Sequence, residues 1–120
     1  ERVDISTETR PDIFLSIHHN LGVLTGNMNQ ARRMECYYFE DISEPFAQAL
    51  MKGLPEVVGR PGTEPEQARY YVTRQTGNPA VLLEVGFMVN PLEYEECLDR
   101  VVILRTACGI AEAVRKTVGG

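Results

Sequence analysis

Three features of the chain predict an α/β fold, with three α/β/α layers around a mixed or mainly parallel sheet. Two apolar β-runs, residues 12–18 and 80–85, carry little polar interruption, which marks strands covered on both faces. Stretches with helical apolar spacing lie between and after them, at 46–54 and 101–118. Strands and helices alternate along the chain, the order that puts helices on the faces of a sheet. Few strands are legible, so the sheet is expected to lack its N-terminal strands here and to continue into sequence outside this chain.

The opening Glu1-Arg2-Val3-Asp4-Ile5-Ser6 reads as the last turns of a helix. Residues 12–18, Asp-Ile-Phe-Leu-Ser-Ile-His, form the first strand. Residues 21–33 are rich in Gly, Asn and Gln with little periodicity and read as a long loop, of the kind that binds something when it borders a site. Residues 34–39, Met-Glu-Cys-Tyr-Tyr-Phe, make a second strand. Ser43 can cap the following helix and Pro45 suits its first turn, while Phe46, Ala49, Leu50 and Leu54 give it an apolar stripe. Pro55 is expected to weaken or end that helix, because its ring removes a backbone donor. Residues 59–65 are turn-rich in Gly and Pro. Tyr70-Tyr71-Val72 is expected as a short strand and residues 80–85 as a buried one. Gly86 and Asn90-Pro91 break the chain and start a short helix over 92–98. Residues 101–118 form a long amphipathic helix with Leu104, Ala107, Cys108, Ile110, Ala111 and Val114 on its apolar side.

At 120 residues the chain has the size of one domain, and a hydrophobic content of 43% is enough for one core. The net charge is −5 with the two signs interleaved and no Lys/Arg-rich patch, so neither nucleic acid nor an anionic membrane is an expected partner. No run reaches the roughly 18 apolar residues that cross a bilayer. The first residues are charged and carry no apolar signal-peptide core. Three cysteines, Cys36, Cys97 and Cys108, without a C-x-x-C pair, argue against a disulfide framework and against a Cys-based zinc cluster; each is expected as a buried small hydrophobe.

Two residues stand out chemically. His18 closes an apolar strand, and strand ends are where α/β folds place their chemistry. Ser16, His18 and Asn20 share one side of that strand by its two-residue period, and His19 points the other way. Glu84 lies inside Ala-Val-Leu-Leu-Glu-Val-Gly-Phe, where a carboxylate is costly to bury unless it is paired, metal-bound or protonated. Burial of that kind raises a glutamate pKa towards the range a general base needs. The structural alternatives are a core histidine and a strand-edge glutamate paired with an arginine such as Arg74. Arg74, Gln75 and Asn78 sit in a turn-like stretch where a guanidinium can hold a carboxylate or carbonyl, or simply be solvated. Asn90 is expected first as a helix cap, and Glu93, Glu95 and Glu96 as a solvated acidic face. No P-loop, G-x-G-x-x-G, G-x-S-x-G or H-E-x-x-H motif is present.

Asp12-Ile13-Phe14-Leu15-Ser16-Ile17-His18-His19-Asn20 resembles the D-x-F-x-S-I-H-x-N segment of zinc-dependent N-acetylmuramoyl-L-alanine amidases. Residues 79–91, Pro-Ala-Val-Leu-Leu-Glu-Val-Gly-Phe-Met-Val-Asn-Pro, are similar to that family's second signature, P-A-V-L-x-E-x-G-F-x-x-N, in matching order and separation. Glu35-Cys36-Tyr37-Tyr38 and Tyr71-Val72-Thr73-Arg74 match more weakly. The likeness covers nearly all of residues 1–120 but only the C-terminal two-thirds or so of the family's catalytic domain. It implies hydrolysis of the amide between N-acetylmuramic acid and L-alanine in peptidoglycan, with Zn2+ as cofactor and a periplasmic, cell-wall or extracellular location. By motif match it implies His18 as a zinc ligand and Glu84 as the catalytic carboxylate, with Asn20 and Arg74 as weaker substrate-positioning candidates. The family's other zinc ligands, a histidine and a glutamate around a Gly-His-Gly turn, have no counterpart in this sequence. A non-catalytic cell-wall binding or regulatory domain of the same fold is the first alternative, and a related metal-dependent peptidase the second. Oligomeric state is left open by the sequence.

Overall fold

The apolar run that holds Glu84 becomes one of the two inner strands of the described sheet. In the computed structural model, which describes all residues except 23–25, 29–31, 76 and 120, the elements follow in the order α1 (Arg2–Thr9), β1 (Phe14–Asn20), β2 (Glu35–Tyr38), a 3-10 turn (Asp41–Ser43), α2 (Glu44–Val58), β3 (Glu66–Gln67), β4 (Ala80–Phe87), α3 (Pro91–Glu96) and α4 (Arg100–Val118). The four described strands form one mixed sheet in the order β1-β4-β2-β3. β1 runs parallel to β4, β2 antiparallel to β4, and β3 parallel to β2. The α/β class and the mixed sheet are as the sequence predicts.

One face of the sheet is the core. Val81, Leu83 and Val85 of β4 and Cys36 of β2 pack there with Phe46, Ala47, Leu50 and Leu54 of α2 and Ala113 of α4. The opposite face, reached by the alternate residues, carries His18, Glu35 and Glu84. Thus the strand period that buries the aliphatic residues of β4 is also what turns its one carboxylate away from them.

Several elements depart from the expectation. Pro55 lies inside α2, which runs on to Val58. Leu54 is buried and Val58 packs against the core, so the last turn is held by apolar contact. Gly59, at φ 76°, then closes the helix in a left-handed conformation that an L side chain rarely adopts. Ser43 makes no cap bond to α2; its Oγ accepts instead from the Ala80 N–H at 2.9 Å, tying the helix start to β4. Residues 70–72 are not a strand. Thr73, fully buried, accepts from the Tyr70 N–H at 3.0 Å and donates to the Ala68 carbonyl at 2.7 Å, so a side-chain-closed turn forms there, and β2 pairs with Glu66–Gln67 instead.

β4 continues through Gly86 rather than breaking at it. β1, expected to be covered on both faces, is the edge of the described sheet, and Ile17 is 52% exposed. The apolar stripe of α4 is rotated from the expected one. Gly109, Ile110, Ala113 and Val114 meet α2 and the core, whereas Leu104 and Cys108 are exposed. The small residues win this contact because they let the two helices approach closely. Of the three cysteines only Cys36 is buried, and that burial pushes its thiol up to about 12. The expected loop over 21–33 falls in part outside the described residues.

Candidate active site

Strand register assembles the site. His18 of β1 and Glu35 of β2 are both direct partners of Glu84 of β4, so one transverse row across three strands reads His18–Glu84–Glu35. Registered partners on neighbouring strands present their side chains to the same face, with Cβ atoms about 5 Å apart. His18 and Glu84 are therefore brought together as the two signatures suggest. His19 is turned to the other side, where it lines an apolar cavity against α4; burial, then the nearby Arg60, lowers its pKa.

The two carboxylates are treated differently. Glu35 is surrounded by donors: Arg33 Nε at 2.6 Å, the Tyr37 hydroxyl at 2.6 Å and Asn20 Nδ2 at 3.4 Å. Burial and that bond to a carboxylate push the Tyr37 hydroxyl well above its ordinary range. Glu84, by contrast, is half-buried, and among the described residues its Oε2 is out of contact with solvent and has no hydrogen-bond partner. Burial raises its pKa, the neighbouring His18 opposes that rise, and the charge of Glu35 adds to it. A proton acceptor with one free oxygen, held above the usual carboxylate range, has the properties a general base requires.

Asn20 joins this row through Glu35 and also accepts from the Gly22 N–H at 2.9 Å. Arg74 does not. It stacks on the Tyr71 ring at 4.8 Å and lines a separate cleft with Arg10, Gln75 and Asn78, before β4 begins. The structure pairs it neither with Glu84 nor with the row. Glu35 itself was not singled out from the sequence. Its signal was available in the alternation of Glu35, Tyr37 against Cys36, Tyr38, which puts a carboxylate and a phenol on one strand face. Of the acidic residues of α3, Glu95 is exposed as expected, whereas Glu93 and Glu96 differ from expectation. Glu93 is 1% exposed and ion-paired with buried Arg60 at 3.1 Å, while Glu96 bonds both Arg60 and Arg32. Asn90 caps α3 as expected, accepting from the N–H groups of Leu92 and Glu93.

Among the described residues no three His, Cys, Asp or Glu side chains gather in a way that could hold an ion. His18 and the two glutamates of the row therefore fall short of the three protein ligands of a catalytic zinc site.

Fold and site together define a class: an α/β domain with a base-like glutamate and an imidazole aligned at the carboxyl end of parallel strands. The chain belongs to the N-acetylmuramoyl-L-alanine amidase family, whose sequence model matches residues 1–116. It is 34% identical over 82 residues to the probable cell wall amidase LytH of Staphylococcus epidermidis, covering 68% of this chain and 27% of that protein. The LytH of Staphylococcus aureus is 34% identical over 97 residues, covering 74% of this chain and 30% of its own length. The catalytic domain of CwlV, an amidase from Bacillus (Paenibacillus) polymyxa var. colistinus, superposes with a TM-score of 0.88 at 29% identity, over 98% of this chain and 63% of that one. AmiC2 of Nostoc punctiforme shares the fold at a TM-score of 0.87 and 23% identity, over 98% of this chain and 64% of that one. The chain thus spans less than a third of these LytH proteins and under two-thirds of the solved domains.

Proposed function

We propose that this chain is part of a peptidoglycan amidase that hydrolyses the amide between N-acetylmuramic acid and L-alanine at the cell wall or outside the cell. The observation that carries the reading is Glu84: a half-buried carboxylate with one oxygen unpartnered among the described residues, in register with His18, inside the span that the amidase family model matches. In this reading Glu84 takes the proton of the attacking water and returns it to the leaving amine. Tyr37, Asn20 and Arg33 hold Glu35 in place beside it, and its negative charge keeps Glu84 proton-hungry. Zinc dependence is part of the proposal, with His18 supplying one imidazole ligand.

The complete amidase, incubated with purified cell-wall sacculi, tests the reading. Release of new alanine N-termini together with free muramic lactyl groups is the expected result. Cleavage of a different bond would move the chain to another metal-dependent peptidase. Co-sedimentation without any cleavage would favour the second reading, a cell-wall binding domain. In the complete amidase, zinc content by elemental analysis is expected to fall sharply in His18→Ala. Unchanged content would return His18 to a structural role.

A further inference from the structure

β4 carries an irregularity immediately after Glu84. Its pairing with β1 runs His18↔Glu84 and then Asn20↔Phe87, two residues on one strand against three on the other. β4 therefore holds one extra residue, a bulge at Val85-Gly86. Strict alternation would place residues 84 and 87 on opposite faces. The extra residue instead brings Phe87 to the face of Asn20 and Glu84, where its ring lies 4.9 Å beneath the Arg33 guanidinium.

The bulge is held by two charged side chains. Arg60 Nη1 donates to the Val85 carbonyl, and the Phe87 N–H donates to Glu93 Oε1 at 2.7 Å. Arg60 and Glu93 are 5% and 1% exposed, and they pair with each other at 3.1 Å. Gly86 lies directly against them, since a Cβ there would come within 2.6 Å of Arg60 Nη1 and 3.0 Å of Glu93 Oε1. A buried ion pair is not a general route to stability, because desolvation offsets most of its attraction. Its use here is geometric, to clasp the peptide groups on both sides of one glycine.

We propose that Arg60 and Glu93 are positioning residues for Glu84. They fix the bulge that sets the Glu84 carboxylate beside His18 and turns Phe87 into the wall of the same site. The inference rests on the reading of Glu84 as the general base, but its test reads geometry in the free chain and so fails separately from that reading.

Arg60→Lys keeps the charge and loses the planar fork that reaches the Val85 carbonyl, Glu93 and Glu96 together. Arg32→Ala is the control, since Arg32 borders the same charge network, 3.1 Å from Glu96 and a looser 3.9 Å from Glu93, and bonds neither the Val85 carbonyl nor the Phe87 N–H. NMR spectra of the full chain are compared at one pH. In Arg60→Lys the Glu84 side-chain resonances should shift and the Phe87 amide should exchange about tenfold faster. In Arg32→Ala both should stay as in the parent chain. Glu84 signals that stay in place while those of α3 move would overturn the proposal, leaving the pair as an anchor for α3 alone. Should Arg60→Lys fail to fold, Gly86→Ala displaces the guanidinium while keeping both charges. Unmoved Glu84 resonances in that variant would overturn the proposal equally.

Discussion

A carboxylate that burial holds above its ordinary range gives up part of the folded state's stability when it ionises, and Glu84 is such a group. Its folded pKa is raised, so the stability it contributes is fully present below the unfolded value of about 4.3 and is lost as pH rises through the folded value. Glu84→Gln removes this loss. The variant should unfold at a higher temperature than the parent at about pH 7, with the gap closing near pH 3.5, where the carboxyl is protonated in both states. Glu93, whose pKa burial also raises, is common to both chains and cancels from the comparison. Scanning calorimetry at the two pH values decides it, and a gap independent of pH would mean that ionisation of Glu84 is not what destabilises the site. The same substitution should cost the complete amidase about a hundredfold or more in turnover on sacculi, the usual contribution of a positioned base. Gain in stability and loss of turnover from one substitution is the pattern of a residue kept for chemistry.

Helix packing gives the next scale. α2 and α4 each contain a glycine within the helix, Gly53 and Gly109, and the two are in opposite situations. A Cβ at Gly53 would meet nothing within 4 Å, whereas one at Gly109 would lie 2.5 Å from Leu54 Cδ1, in the buried contact between the helices. Gly53→Ala should therefore stabilise by about 0.5–1 kcal/mol through helix propensity alone. Gly109→Ala gains the same propensity but overpacks Leu54, which costs about 1–3 kcal/mol, so its urea midpoint should fall or at best stay level. A rise at Gly109 equal to that at Gly53 would show that the helices separate freely. These contacts also explain what the sequence could and could not disclose. β4 was legible because seven of its eight residues are buried and apolar or small, a pattern local to the strand. The rotation of α4 was not, because the contact is chosen by the small residues Gly109 and Ala113 facing Leu54, a tertiary fit that the helical period alone does not encode. Likewise the burial of Glu93 depends on Arg60, far away in the chain, and the turn at 70–73 on one buried threonine hydroxyl that outweighs the β-propensity of two tyrosines. The row His18–Glu84 was read from motif and strand end, while Glu35 entered it only through the register of β2.

Across the whole molecule, the covered and uncovered sides of the sheet are unequal. α2 and α4 shield the core, yet β1 is the edge of the described sheet, and its Ile17, with Val101, Ile103 and Leu104 of α4, is about half exposed or more. A cavity of about 380 Å³ opens between β1 and α4, lined by Ile17, Val85, Val102, Ile103 and Ile110. An apolar concavity beside the open edge of a sheet is unusual on a monomer, because both the greasy surface and an edge strand's outward backbone groups invite contact. The 120-residue chain should accordingly bind the dye ANS in native buffer and associate as its concentration rises. Ile103→Glu places a charge at the rim of the cavity, 49% exposed in the parent, and so should change stability by no more than about 0.5 kcal/mol. Its ANS fluorescence should drop and its sedimentation coefficient should become independent of concentration. If the fluorescence persists while the urea midpoint is unchanged, the dye is reading some other surface, and the uncovered side between β1 and α4 is not what makes this chain adhesive. The site face, with His18, Glu35 and Glu84 in their row, lies on the other side of the same sheet, so this substitution should leave its chemistry untouched.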